Sequence, residues 1–338
     1  MSARRPWAWP LTPLYAAGLA VKDGLRAAGL LRTRKLKWPV VSVGSLSAGG
    51  AGKTPAVIAL AKLLAARGWD VDVLSRGYGR QGRGVERVLG TVSRDTTARR
   101  FGDEPAMIAR ATRVPVWVGA DRFAAGELAE SSNPSPQRGV HLLDDGFQHR
   151  RLARTVDVVL ITAEDLHDAL LPAGNLREPL SALQRADAVV IRQEEWTKVA
   201  PRVRELMGPE TPMWSVERTL RFPSPLGVFS AGLRPVGFCA IARPEGFSEM
   251  LQEAGCGVIE MVIFGDHHTY TEDGIETILR IANSLNASGF VTTEKDAVKL
   301  SAIMRERLAT VGPLITIGLE TEFLNTAEVM SDLEARLG

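Results

Sequence analysis

A glycine-rich loop at residues 47–54 constrains the fold of this chain more than any other feature of its sequence. The loop reads SAGGAGKT, and its three glycines permit backbone N–H groups to turn inward together. The apolar residues 39–43 before it are typical of a buried strand, and residues 55–67 are typical of a helix. A strand, a glycine loop and a helix N-terminus in this order predict a phosphate-binding site.

The loop departs from the usual phosphate-loop pattern because Ser47 stands where the first glycine belongs. Its end is regular: Lys53 can reach the β- and γ-phosphates of ATP, and the Thr54 hydroxyl can bind Mg²⁺. The residues predicted to surround the phosphates are Ser47, Ala48, Gly49, Gly50, Ala51, Gly52, Lys53 and Thr54.

A second element follows the apolar residues 140–143, where Asp144 and Asp145 stand at the exit of a predicted strand. In phosphate-loop folds, an aspartate in this position binds Mg²⁺ directly or through water. Paired aspartates are also common in solvated turns. Beside the glycine loop, the pair predicts a magnesium–ATP site.

Short apolar runs alternate with helical patterns along most of the chain. They predict a P-loop NTPase-like α/β fold, in which a mostly parallel sheet has helices on both faces. The predicted strands of this sheet are residues 39–43, 71–74, 114–118, 140–143, 156–161 and 188–191, and a helix is predicted at 104–111.

The pattern changes around residues 214–230, which suggest extended linkers, and a domain boundary is therefore placed near residue 220. In the second part, strands are predicted at 237–241, 258–263 and 289–292, and helices at 245–253 and 273–285. The predicted organisation has four parts: an N-terminal helix and basic segment at 1–38, a P-loop core at 39–219, a smaller α/β domain with linkers at 220–318, and a C-terminal helix at 319–338 that packs back on the core.

Composition excludes some classes of function. The net charge of +2 gives no bulk argument for a nucleic-acid partner, and no obligate protein partner is evident. The two cysteines, Cys239 and Cys256, form no C-x-x-C pair and have no histidine at metal-ligand spacing. A disulfide framework and a structural zinc site are therefore not expected, and a reducing, cytoplasmic setting fits.

The N-terminal segment 11–31 is apolar in bulk, but three charged residues interrupt it, so it is a poor membrane span. Its apolar residues fall roughly on one helical face, and arginines and lysines flank it. This pattern is typical of an amphipathic helix on an anionic bilayer. A helix that caps the core of the domain fits the spacing equally well, and one helix can do both.

Several blocks, taken in order, resemble the tetraacyldisaccharide 4'-kinase family of lipid A biosynthesis. Any single block is weak, but the ordered set, from the glycine loop to about residue 300, is highly specific. The blocks are AGGAGKTP at 48–55, SRGYGR at 75–80, GDEP at 102–105, GADR at 119–122, LDDGFQHRR at 143–151, LPAGNLREPL at 171–180, DHH at 266–268 and TTEKD at 292–296.

The resemblance implies a reaction. Members of this family move the γ-phosphoryl group of ATP to the 4'-hydroxyl of an acylated glucosamine disaccharide 1-phosphate and produce the 1,4'-bisphosphate. They work at the cytoplasmic face of the inner membrane of Gram-negative bacteria. The resemblance therefore favours a membrane-surface role for the N-terminal helix, because the acyl chains of the substrate lie in the bilayer.

The resemblance also implies a catalytic pair. Asp103 in the GDEP block resembles the catalytic aspartate of the family, and His267 in the DHH block resembles its partner. A sugar hydroxyl is a poor nucleophile, so a nearby base assists it. Closure of the smaller domain over ATP would assemble the pair. From the sequence alone, His267 fits a surface or capping role as well, and Glu104 fits either a Mg²⁺ ligand or an acid in a first helical turn.

A further set resembles the acceptor-binding residues of the family. Sugars and their phosphates need neutral and charged hydrogen-bonding groups. The set comprises Tyr78, Arg122, Gln148, His149, Arg177 and Glu178. Four further arginines, at positions 76, 80, 150 and 151, are interpreted individually as parts of a basic surface.

Some positions depart from the family pattern. Ser45 and Asn175 stand where the family usually has Asn and Pro, and Ala242-Arg243 stand where Gly-Asn is usual. Two other functional classes were compared with the kinase. A membrane-associated partitioning or switch ATPase usually has a lysine before the glycine pair, where this chain has Ala48. A nucleotide-binding module without catalysis would bind ATP but never transfer phosphate.

Overall fold

The computed structural model describes residues 5–80, 82–90, 100–223, 232–266 and 268–338. Within these ranges the chain forms one sheet of twelve strands. The strands are β1 Val40–Ser45, β2 Asp70–Ser75, β3 Glu86–Val88, β4 Val116–Val118, β5 Gly139–Asp144, β6 Val156–Ile161, β7 Ala188–Arg192, β8 Met213–Arg221, β9 Pro235–Cys239, β10 Glu260–Ile263, β11 Gly289–Thr293 and β12 Leu314–Phe323.

Helices connect most of these strands. They are α1 Thr12–Ala27, α2 Lys53–Ala66, α3 Asp103–Thr112, α4 Arg122–Ser132, α5 Trp196–Met207, α6 Pro244–Glu253, α7 Glu272–Ser284, α8 Glu294–Ala297, α9 Ala302–Ala309 and α10 Thr326–Leu337. Short 3-10 helices occupy Pro6–Leu11, Asp165–His167, Leu180–Arg185 and Gln193–Glu195. The predicted α/β class with a large, mostly parallel sheet is confirmed.

The sheet consists of two parallel blocks. The first runs in the order β8-β7-β6-β1-β5-β2-β4 and ends at β3, which is antiparallel to β4. The second runs in the order β10-β9-β11-β12. In the first block β1 lies centrally, in parallel register with β5 and β6, so the loop that follows it opens at the middle of the carboxyl edge of the block.

An antiparallel ribbon of β8 and β12 joins the blocks, in a register from Val216 opposite Phe323 to Arg221 opposite Gly318. The first residues of β8 pair with β7, and the first residues of β12 pair with β11. The second block is therefore displaced along the ribbon by about five residues, roughly 17 Å, and runs the opposite way. As a result, the carboxyl ends of the two sets of parallel strands face each other.

The interpretation of residues 214–230 as linkers was wrong for Met213–Arg221, which form β8; residues 224–231 lie outside the described ranges. The cause is that the partner of β8 is β12, about a hundred residues further along the chain, and such pairing leaves no local signal. Strands β3 and β12 were not predicted either. The proposed division of the chain into domains stays a prediction.

Both faces of the first block are covered. Along β6, Val158 and Leu160 belong to one hydrophobic cluster, while Val159 and Ile161 belong to the cluster on the other side. The first cluster includes α2 and the buried Val329, Met330 and Leu333 of α10; the second includes buried residues of α5. Because every β6 side chain is buried, the strand is apolar at successive positions except at Asp157.

The N-terminal helix α1 docks through polar contacts. The Tyr15 hydroxyl donates to the Arg177 carbonyl oxygen at 2.9 Å, and Arg150 Nη1 lies 2.5 Å from Asp23 Oδ1. Every α1 side chain is partly or fully exposed, and Leu14 is 74% exposed. Among the described residues, no helix combines the length and the apolar character that crossing a membrane requires.

Candidate active site

The glycine loop lies between the end of β1 and the start of α2. Gly49, Gly50 and Gly52 have φ values of 88°, 69° and 91°, a backbone region that other residues rarely adopt. Helix α2 begins at Lys53, so the unpaired N–H groups of its first turn open into the loop. The positive end of the helix dipole adds to these donors, and the loop is suited to bind phosphate oxygens.

The Lys53 ammonium group lies inside this arrangement. Its Nζ donates to Ser45 Oγ at 3.3 Å and lies 3.5 Å from Asp145 Oδ1. Ser45 Oγ in turn donates to the Ser47 carbonyl oxygen at 2.9 Å. Although Ser45 departs from the family pattern, it makes a polar contact that holds both the loop and the lysine.

The paired aspartates at the end of β5 have opposite electrostatic surroundings. Burial, followed by the negative charges of Glu104 and Asp145, raises the pKa of Asp144 well above its usual range. Burial alone would also raise the pKa of Asp145, but Lys53 and Arg177 outweigh it and hold the pKa below its usual range. Asp144 is therefore a buried carboxylate next to further negative charge, whereas Asp145 is paired with two cations.

Asp144 is positioned by Ser75, whose Oγ donates to Asp144 Oδ2 at 3.0 Å. Ser75 ends β2, the strand next to β5, so both side chains emerge at one edge of the sheet. Ser75 belongs to the SRGYGR block but was not predicted as a site residue. The signal that could have identified it is its position at the carboxyl end of a predicted parallel strand.

Asp103 and Glu104 occupy the first turn of α3, where their negative charges meet the positive end of the helix. Two glycines bring this turn close to the loop after β2. A Cβ added to Gly77 would lie 2.7 Å from the Phe101 carbonyl oxygen, and one added to Gly102 would lie 3.0 Å from the Tyr78 carbonyl oxygen. Both acids are partly buried, and the effect of Glu104 on Asp144 places α3 beside the end of β5.

Three of the predicted acceptor residues form one network with the nucleotide side. Arg177 Nη1 donates to Asp145 Oδ1 and Oδ2 at 3.0 and 2.8 Å. Gln148 Nε2 donates to the Ser45 carbonyl oxygen at 3.0 Å and to Glu178 Oε2 at 3.2 Å. The chain Lys53–Asp145–Arg177 therefore connects the glycine loop to the segment predicted to bind the acceptor.

The other three acceptor candidates differ in exposure. Arg122 is 6% exposed and feels the charges of Asp144 and Asp145, while Tyr78 is 70% exposed. Burial, followed by Arg122 and Arg154, lowers the pKa of His149 to about 4, so its imidazole is neutral at pH 7. A neutral imidazole has both a donor and an acceptor, which suits a sugar hydroxyl.

The carboxyl edge of the second block supplies further groups. We call the ends of β1, β2 and β5 the glycine-loop edge, and the ends of β9, β10 and β11 the facing edge. A Cβ added to Gly49 would lie 3.5 Å from Ala242 Cβ and 3.6 Å from Asp266 Oδ2. Lys295 Nζ lies 3.7 Å from Asp266 Oδ1. His267, predicted as the catalytic partner, lies outside the described residues.

Two arginines near the loop were missed as site residues. Arg192 Nη2 donates to the Gly50 carbonyl oxygen at 2.8 Å, and Arg243 lies against Gly50 from the facing edge. Arg192 ends β7, so its place at the end of a parallel strand was a usable signal. For Arg243, the only signal in the sequence was its departure from the family pattern. Its contact with Gly50 joins the two blocks, so no local pattern indicates it.

No group of three or more His, Cys, Asp or Glu side chains in the described ranges is arranged to hold a metal ion. Mg²⁺ in kinases is typically held by one or two protein oxygens together with substrate phosphates and waters. The Thr54 hydroxyl and the Asp144 carboxylate are oxygen donors of this kind, and Asp144 has the negative charges of Glu104 and Asp145 nearby.

A glycine loop at the end of a central parallel strand, followed by a helix and a lysine–aspartate pair, defines a P-loop nucleotide-binding protein. Comparison with known proteins identifies the family. The family model described as LpxK, tetraacyldisaccharide-1-P 4'-kinase, matches residues 4–338. The chain belongs to this family.

Relatives and a solved structure agree with this assignment. The tetraacyldisaccharide 4'-kinase of Koribacter versatilis is 40% identical over 336 residues, which cover 97% of this chain and 99% of that protein. The kinase of Desulfotalea psychrophila is 35% identical over 336 residues, 94% of each chain. A crystal structure of LpxK from Aquifex aeolicus in complex with ATP matches with a TM-score of 0.73 and 29% identity, over 98% of this chain and 99% of that one.

Proposed function

We propose that the chain transfers the γ-phosphoryl group of ATP to the 4'-hydroxyl of tetraacyldisaccharide 1-phosphate and releases ADP and the 1,4'-bisphosphate. The observation that carries the proposal is the continuous chain of contacts from Lys53 through Asp145 to Arg177. It links a phosphate-binding loop to a cluster of hydrogen-bonding groups suited to a phosphorylated sugar. Such a link is expected where the two substrates of a phosphoryl transfer must be aligned.

On the nucleotide side, the amides of residues 47–54 surround the phosphates, and Lys53 contacts the β- and γ-phosphates. Thr54 and Asp144 would hold Mg²⁺, and Glu104 and Asp145 lie close enough to influence it electrostatically. When bound, the ion neutralises phosphate charge. Because Asp145 already pairs with Lys53 and Arg177, it serves mainly to position those two cations.

For the proton transfer, we assign Asp103 as the general base and His267 as its partner. The 4'-hydroxyl oxygen forms a bond to the γ-phosphorus as the bond to the β-γ bridging oxygen breaks, and the hydroxyl proton moves to the Asp103 carboxylate. The position of Asp103 in the first turn of α3, next to Glu104, whose charge acts on Asp144, supports this role.

On the acceptor side, Arg177 and Arg122 supply positive charge for the 1-phosphate. Gln148, His149 and Glu178 supply hydrogen bonds for the sugar hydroxyls, with the exposed Tyr78 at the rim. The neutral state of His149 permits it to donate and to accept. These roles require the acceptor to lie between the ends of β2 and β5 and the segment at Arg177.

We also place the enzyme on the cytoplasmic face of the inner membrane of a Gram-negative bacterium. The exposed apolar side chains next to the polar docking contacts support this placement; they include Trp7, Trp9, Leu11, Leu14 and Val21. Lipid contact by α1 would bring the acceptor segment near the bilayer, because Tyr15 is bonded to the Arg177 backbone.

The test is direct. The purified full-length protein is incubated with ATP, Mg²⁺ and detergent-solubilised tetraacyldisaccharide 1-phosphate, and the bisphosphate is sought by mass spectrometry. We expect Asp103→Asn to lower turnover by about 10²- to 10⁴-fold, and Asp273→Asn, on the exposed first turn of α7, to leave it unchanged. ATP consumption at the same rate with and without acceptor would instead favour a partitioning or switch ATPase.

A further inference from the structure

The side chain of Arg243 crosses from the facing edge to the glycine loop. Arg243 precedes α6, in the loop after β9. A Cβ added to Gly50 would lie 2.7 Å from Arg243 Nε, 3.0 Å from its Cγ and 3.1 Å from its Cδ. The stem and the inner edge of the guanidinium group therefore lie directly on the loop backbone.

The outer end of the guanidinium group is held by the first block. Arg243 Nη2 donates to Thr162 Oγ1 at 3.1 Å and lies 3.0 Å from Glu164 Oε2. The Arg243 and Glu164 side chains are 21% and 50% exposed. Ion pairs with this much solvent contact contribute little to stability, so a stronger anion can replace the glutamate at little cost.

The nearby Arg192 has a different role, although it also lies beside Gly50. Its side chain is 8% exposed, its Nη2 donates to the Gly50 carbonyl oxygen, and its Nη1 lies 3.4 Å from Glu195 Oε1. These contacts hold the arginine against the loop and leave it little freedom to move. Of the two arginines, Arg243 is the more exposed, and its carboxylate partner is also the more exposed of the two glutamates.

We propose that Arg243 binds the β- and γ-phosphates of ATP from the facing edge and so makes the site favour a triphosphate over a diphosphate. The inference rests on the proposed binding of ATP in the glycine loop. A guanidinium group carries five N–H donors in a planar fork that matches phosphate oxygens. The Nε side of this fork faces Gly50, whose amide belongs to the predicted phosphate cradle. Glu164 holds the arginine near the loop until nucleotide arrives.

The test uses titration calorimetry of the full-length protein with Mg²⁺ and either ADP or a non-hydrolysable ATP analogue. We expect Arg243→Ala to weaken binding of the triphosphate by about 10- to 100-fold, the usual range for a charged hydrogen bond, and binding of ADP much less. Glu164→Gln should leave triphosphate binding unchanged or tighten it. In steady-state kinetics, Arg243→Ala should raise KM for ATP more than it lowers kcat.

Arg218→Ala is the matched control, since it removes the same charge from the same arginine cluster. It should change the affinity for either nucleotide by less than about threefold. If Arg243→Ala and Glu164→Gln weaken both nucleotides equally, or if Arg243→Ala binds the triphosphate like the wild type, the proposal is overturned. If the wild-type protein binds neither nucleotide, the proposed function itself is wrong.

Discussion

The glycine-loop edge and the facing edge hold their charged side chains in different ways. On the glycine-loop edge, Lys53, Asp145 and Arg177 contact one another in series, with side-chain exposures of 12%, 32% and 29%. On the facing edge, Lys295 Nζ lies 3.7 Å from Asp266 Oδ1, a longer contact than those of the glycine-loop edge. The network on the glycine-loop edge is organised before substrates bind.

Behind the facing edge, one buried carboxylate holds several groups in place. Asp296 is fully buried, accepts from the Ala240 N–H at 3.1 Å and from Thr293 Oγ1 at 2.7 Å, and lies 3.2 Å from Lys299 Nζ. It ties the end of β9 to the start of α8. The comparison teaches that the facing edge keeps its most connected carboxylate buried behind the site, while the glycine-loop edge keeps its connected charges at the site itself.

The largest expected effect is on the glycine-loop edge. Lys53→Ala removes a cation from a site that stabilises phosphate charge and leaves Asp145 with one partner fewer. We expect kcat/KM for ATP to fall by about 10²- to 10³-fold, the usual loss for a single electrostatic group of this kind. Steady-state kinetics checks this, with Lys62→Ala on the exposed face of α2 as the control. A loss of less than tenfold would argue against preorganisation of this edge.

The next effect concerns the buried Asp296 behind the facing edge. Asp296→Ala leaves Lys299, whose side chain is 8% exposed, without its carboxylate and removes an acceptor from the Ala240 N–H. We expect a loss of about 4 kcal/mol in the free energy of unfolding, as for a broken buried pair. Urea denaturation measures it. If the pair explains the loss, the double variant Asp296→Ala with Lys299→Met should recover part of it.

A smaller effect is expected at a buried carboxyl that takes no part in the proposed site. Asp72 lies on β2 away from the glycine loop, and burial raises its pKa from 3.8 to about 6, despite the hydrogen bond from Trp117 Nε1. Because the pKa of Asp72 is higher in the folded than in the unfolded protein, the folded state loses stability as pH rises from about 3.8 through 6. Above that window the loss in the free energy of unfolding reaches about 3 kcal/mol. Asp72→Asn should therefore unfold at a higher temperature than wild type at pH 8, with unchanged kinase activity. A lower unfolding temperature at pH 8 would contradict this.

The smallest effect is expected where the ribbon is exposed. Arg221 Nη2 lies 2.6 Å from Glu294 Oε1, and Arg221 Nε lies 3.1 Å from Glu320 Oε1, with all three side chains more than a third exposed. We expect Arg221→Ala to change the free energy of unfolding by less than about 1 kcal/mol, because solvent screens such pairs. Thermal unfolding at low and high salt tests this; a loss of several kcal/mol would mean that the pairs hold the blocks together.

The sequence predicted those parts of the site that depend on neighbours along the chain. The glycine loop, Lys53 and Asp144–Asp145 each follow an apolar run, and parallel packing brings strand ends together. The family resemblance directed attention to Arg177 and Gln148, and the structure places both beside the loop. No test bears on their roles or on Asp103, which stay predictions.

What could not be predicted depends on contacts between distant segments. The pairing of β8 with β12 joins residues about a hundred positions apart, and alternation in β8 resembles that of any extended segment. The contact of Arg243 with Gly50 follows from that pairing, because it sets how the blocks face each other. To predict the hydrogen bond from Ser75 to Asp144, it would have been enough to know that β2 and β5 are neighbouring strands.

The β8–β12 ribbon has a mechanical consequence. Between residues 217–221 and 318–322 the sheet is only two strands wide, while the blocks on either side are several strands wide and covered by helices. We therefore expect bending to concentrate in this narrow section, with each block moving as a stiff plate. Because the carboxyl edges meet across the ribbon, flexing it changes the width of the gap between them and leaves the interior packing of both plates intact.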